Sequence, residues 1–103
     1  MINITNQSHE LDTFIVDFNK SVSLKDKELA KQAIQSLVSV VLKDPVAIDW
    51  LVTPANLNEL KEMIISTFNV PAKSMQLKNR VPRRHSRAIM LARALRNGIE
   101  RAP

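Results

Sequence analysis

Apolar side chains return along this chain at helical intervals. Leu11, Phe14, Ile15, Phe18 and Val22 form one stripe, preceded by Asn6 and Ser8 as candidate caps and by Glu10 and Asp12 in a first turn. Ser23 and Asp26 make a capping pair for a second helix, whose face runs Ala30, Ala33, Ile34, Leu37, Val38 and Val41. Val40 and Leu42 widen that face, Lys43 falls in the last turn, and Pro45 stops simple continuation. Asp44-Pro45 reads as cap plus first helical residue of a short helix through Trp50 and Val52. Thr53-Pro54 repeats the device for a helix to about Phe68, with Leu57, Leu60, Ile64 and Phe68 on one side and Met63 and Ile65 extending the stripe.

Proline punctuates the remainder of the chain. Asn69-Val70-Pro71 and Val81-Pro82 are breaks, because a residue before proline is biased away from helical angles. Between them a short helical segment is expected over Ala72–Arg80, and after Pro82 a last helix to about Ile99. In that helix Ala88, Leu91, Ala92, Leu95 and Ile99 share one face; Arg83, Arg87, Arg93 and Arg101 fall on the other, with Met90 among them. Residues 1–5 alternate apolar and polar, which fits either a short strand or an extended arm, and 1–7 are a candidate arm. The pattern predicts an all-α, single-domain helical bundle of about five helices over 1–103, its first three elements forming the scaffold.

Composition agrees. The chain has 103 residues, 45% of them apolar, enough for one small folded core. A single glycine, Gly98, leaves little for hairpins, which weighs against a sheet. There is no cysteine, hence no disulfide or thiolate metal site. The N-terminus has neither a basic leader nor an apolar signal core, and no apolar run is long enough to span a bilayer, so a cytoplasmic protein without membrane contact is expected.

Charge changes the picture more. Residues 1–69 hold six lysines against nine acids, a net −3; residues 70–103 hold nine basic residues against Glu100, a net +8. All seven arginines lie between Arg80 and Arg101. Such segregation marks 70–103 as a surface for an anionic partner. Arginine suits that role because its planar fork binds phosphate through two parallel hydrogen bonds.

Catalytic or metal-binding spacing is not recognisable: His9 and His85 are far apart, and neither has acidic or thiol partners at ligand spacing. His85, between Arg84 and Arg87, suits contact with a phosphate better than with a metal. Trp50 reads as a core anchor rather than a platform for a stacked nucleobase, because it lies outside the basic region in sequence. No enzyme activity, metal or cofactor is expected.

Two arrangements fit the basic third. In one, Ile64 and Phe68 close a helix, Asn69 takes a left-handed turn, and Val70 and Met75 point inward, leaving Lys73, Gln76 and Arg80 to approach base edges. With the Lys78-Asn79-Arg80-Val81-Pro82 ending and an amphipathic helix behind it, this stretch resembles small phage or plasmid helix-turn-helix regulators of the Cro and CII kind. The resemblance covers roughly residues 57–95 and implies a DNA-binding transcriptional regulator. The chain departs from that pattern in having Asn69 where the turn usually has glycine, bulky Ile65 where a small residue is usual, and charged Lys78 where an apolar one is buried. The other arrangement is a plain helical bundle with a proline-punctuated connector, whose arginines contact only backbone. The nucleic-acid-binding set is thus Lys73, Gln76, Lys78, Arg80, Arg83, Arg84, Arg87 and Arg93, the last four neutralising phosphates of DNA or RNA. The competing reading is a small adaptor or inhibitor docking its arginine-rich helix on an acidic protein, since arginine and methionine are enriched at protein interfaces. The Ala30–Val41 face carries enough apolar surface to allow a homodimer.

Overall fold

The computed structural model describes residue 2, residues 8–75 (Ser74 by backbone only) and residues 83–102. Over these it has five α-helices and one 3-10 turn, and no strand: α1 (His9–Leu24), α2 (Lys27–Val41), α3 (Pro45–Val52), α4 (Pro54–Phe68), η1 (Ala72–Met75) and α5 (Arg84–Glu100). The all-α expectation holds.

Local chemistry sets most boundaries. The Ser8 side chain caps α1 at the amide of Leu11, and Glu10 and Asp12 occupy its first turn. Asp26 caps α2 through Leu29 N–H at 3.1 Å, and Asp44 caps α3 through Val46 N–H at 3.0 Å. Ser23, expected to share the second cap, is still inside α1, which runs on to Leu24. The α1–α2 corner turns on Lys25, left-handed at φ 52°, with Asp26 N–H donating to Ser21 O at 2.9 Å. Lys43 lies beyond the last turn of α2, and Leu42 is exposed rather than part of the buried face.

α2 runs through the middle of the core, and α5, not one of the first three elements, is its largest partner, followed by α1. Three contacts at increasing distance along both helices fix α2 and α5 as antiparallel. Lys27 Nζ donates to Ala102 O at 2.7 Å, Arg96 Nη1 to Gln35 Oε1 at 3.1 Å, and His85 Nε2 lies 3.5 Å from Leu42 O. Ala30, Ala33, Ile34, Leu37, Val38 and Val41 are buried in these contacts, so the face on which a homodimer could have formed is covered within the chain. Phe14 stacks on Phe18 with centroids 5.7 Å apart and meets Trp50 edge-on at 6.3 Å, joining α1 to α3.

Ile2, in the segment read as an arm, is buried. Its N–H donates to Asn19 Oδ1 at 3.3 Å and its C=O accepts from Asn19 Nδ2 at 2.9 Å. The amide of Asn19 thus stands in for a paired strand at that one residue.

Candidate nucleic-acid interface

The turn after α4 has the chemistry expected of it. Asn69 is left-handed at φ 59° and ψ 35°, and its N–H closes α4 on Ile65 O. Val70 and Met75 are buried, at 2% and 1% exposure. The helical segment expected over Ala72–Arg80 is, in its described part, a single 3-10 turn ending at Met75. Gln76, Lys78 and Arg80 lie outside the described residues.

α5 separates its faces as its sequence requires. Ala88, Leu91, Ala92, Leu95, Gly98 and Ile99 are buried. Arg83, Arg84, His85, Arg87, Arg93 and Arg101 are exposed. At 1.5 Å per residue the exposed arginines extend over about 27 Å, from Arg83 to Arg101. They are not evenly spread. Arg83, Arg84, His85 and Arg87 crowd the first turn, whereas Arg93 stands about 9 Å beyond Arg87. Lys73 belongs elsewhere again: η1 packs on α5 where Met75 meets Gly98, near the far end of the helix.

The first turn of α5 is electrostatically inverted. A helix N-terminus is its positive end, where carboxylates are favoured. The chain follows that rule in α1, with Glu10 and Asp12, and in α2, with Asp26 and Glu28; α4 starts without a side-chain cap or a first-turn acid, but it has no cation there. In α5 the N-cap is Arg83, whose side chain makes no cap hydrogen bond, and the first turn has no acid. Each cation there costs about 0.3–1 kcal/mol at low salt.

Two neighbours that sequence order conceals reach this end. Arg84 Nη2 pairs with Asp49 Oδ1 of α3 at 3.0 Å; with side chains 65% and 69% exposed, that pair adds little stability. His85 approaches Leu42 O at the end of α2, which brings Lys43 to the same end of the bundle, with Glu10 and Asp44 close to Lys43. Asp49 and Lys43 were recoverable only from the helix pairing, because both precede α5 by more than 30 residues.

No helix among the described residues is long and apolar enough to cross a membrane. Comparison of the chain with protein-family models, with curated proteins and with solved structures finds no match.

Proposed function

We propose that this protein binds nucleic acid by its phosphodiester backbone, with the first turn of α5 as the principal contact. The observation that carries the reading is the inverted electrostatics there: Arg83, Arg84, His85 and Arg87 stand exposed at the positive end of a helix whose N-cap side chain makes no cap hydrogen bond and whose first turn has no carboxylate. Among the described residues these cations are answered by the exposed Asp49, through Arg84, and local rules broken in this way are characteristic of functional sites. A phosphate supplies what the turn lacks: a negative charge at the dipole's positive end, and acceptors for both the guanidinium forks and the first backbone amides.

Arg93 extends the charge along the outer face, and Lys73 meets a different stretch of backbone. Sequence reading would be added by Gln76 and Arg80 if the chain acts as a helix-turn-helix regulator of DNA; the left-handed Asn69 and buried Val70 and Met75 support that turn. The protein acts by binding, not by catalysis.

Equilibrium binding to duplex DNA and to RNA across a salt series tests the proposal. Affinity should fall steeply with salt. Arg83→Ala with Arg87→Ala should lower the slope of log K against log salt by about 1.8 on a duplex, at about 0.9 per phosphate contact. Absence of binding at low salt would overturn the reading in favour of an acidic protein partner.

A further inference from the structure

The fold joins Trp50 to the arginine cluster from which the sequence separates it. A cavity of about 290 Å³ opens at the corner between α3 and α4, lined by Val46, Asp49, Trp50, Thr53 and Asn56. Its wall is shared with the basic end of α5, because the Asp49 that lines it is the residue paired with Arg84 at 3.0 Å. Phe14 and Phe18 are fully buried, whereas Trp50, the chain's only tryptophan, is only partly so. The aromatic cluster of the core therefore surfaces at this cavity.

The corner is braced before any ligand arrives. Thr53 Oγ1 donates to Asp49 O at 2.8 Å, and Asn56 Nδ2 donates to Trp50 O at 2.9 Å. Such bracing lowers the ordering cost of binding. Val46 and Trp50 contribute apolar surface to the lining; with the Thr53 hydroxyl and an Asn56 N–H used in the bracing, the Asn56 Oδ1 and the Asp49 carboxylate are the acceptors left for the edge of a ring. The volume lies at the small end of ligand pockets, which run from about 300 to 1,000 Å³, and suits one ring system rather than a whole cofactor.

We propose that this cavity seats one unpaired nucleobase, stacked on the Trp50 indole, from a single strand whose adjoining phosphate is held by Arg84 and its neighbours Arg83 and Arg87. The inference rests on the backbone-binding reading and adds to it the class of strand. Bases within a duplex are stacked on each other and cannot enter such a cavity; bases of a single strand can, and their stacking on an aromatic side chain tolerates any sequence. When phosphate takes Arg84, the exposed Asp49 pair is released at little cost.

The emission of the lone tryptophan reads the site directly. The full chain is titrated at low salt with end-labelled oligothymidylate, with oligouridylate, and with an oligo(dA)·oligo(dT) duplex of equal length. Label anisotropy reports binding anywhere, and Trp50 emission reports stacking. Single strands of DNA or RNA should bind more tightly than duplex and quench Trp50, whereas bound duplex should leave emission unchanged; the stronger of the two single strands identifies the sugar preferred. Trp50→Leu, checked for its fold by circular dichroism, should weaken single-strand binding about tenfold or more and duplex binding little. Single-strand binding without a change in Trp50 emission, or tighter binding of duplex, would overturn the cavity proposal and leave the backbone reading intact. Loss of anisotropy change on every nucleic acid would overturn both.

Discussion

A methyl group on Gly98 would lie 2.5 Å from Cγ and 2.9 Å from Sδ of Met75, well inside contact distance. The one glycine in the chain is therefore neither a turn nor a helix stop. It is the place where α5 lets η1 approach. Val70 Cγ1, at 3.4 Å from the same point, completes the contact, so both inward residues of the Asn69 turn rest on one gap in α5.

Gly98→Ala sets two effects against each other. Alanine gains about 1 kcal/mol of helix propensity, while overpacking a filled site costs about 1–3 kcal/mol. Because the clash involves the middle of the Met75 side chain, overpacking should win and the variant should lose about 1 kcal/mol in denaturant unfolding. Met75→Ala alone should cost about 2–5 kcal/mol. In the double variant the clash is gone, so its loss should be smaller than the sum by about 1 kcal/mol or more. Strict additivity would contradict the contact.

The caps of α1 and α3 are linked to each other. Ser8 Oγ accepts from Leu11 N–H and donates to the Asp44 carboxylate, whose other oxygen accepts from Val46 N–H. Asp44→Ala removes a cap and orphans the serine, so unfolding should show a loss of about 2 kcal/mol. Asp44→Asn keeps an acceptor for Val46 and should cost less than half as much. Equal losses in the two variants would mean that the carboxyl group caps nothing.

Asp49 competes with a ligand for Arg84. Its removal by Asp49→Asn should leave stability within about 0.5 kcal/mol, as for most exposed pairs. Affinity for nucleic acid should rise about two- to fivefold at low salt, an advantage that shrinks as salt screens the charge. Weaker binding of the variant in that salt series would count against phosphate at Arg84.

The helices were legible because each rests on short-range chemistry. Ser8, Asp26 and Asp44 start helices, Pro45 and Pro54 sit at first positions, and the stripe from Leu11 to Phe18 is buried as its spacing requires. What escaped was pairing. That α5 lies antiparallel on α2 depends on which apolar stripes meet, and no local spacing encodes the partner. Hence Arg84 and Asp49 looked unrelated, and Trp50 looked remote from the arginines. The packing role of Gly98 was hidden for the same reason, since its use depends on Met75, 23 positions earlier. The charge of the last third was plain from the start, and the start of its helix after Pro82 already put Arg83, Arg84 and Arg87 at one end; that Asp49 faces this end was not.

That N-cap offers the sharpest separation of stability from function. Arg83→Ser replaces a cation at the positive end of α5 with a residue that can accept from the amides of the first turn, which the Arg83 side chain does not cap. The cap should contribute about 1 kcal/mol, and removal of the charge a few tenths more. For a domain of this size that corresponds to a rise in melting temperature of about 4 °C or more. The same change removes one phosphate contact, so the salt slope of duplex binding should fall by about 0.9 and affinity at low salt should drop. A protein that needs Arg83 only for its fold would lose stability in the thermal melt instead. One that is more stable and binds nucleic acid as before would show that the arginine serves neither purpose, and the case for the first turn of α5 as the contact would fail.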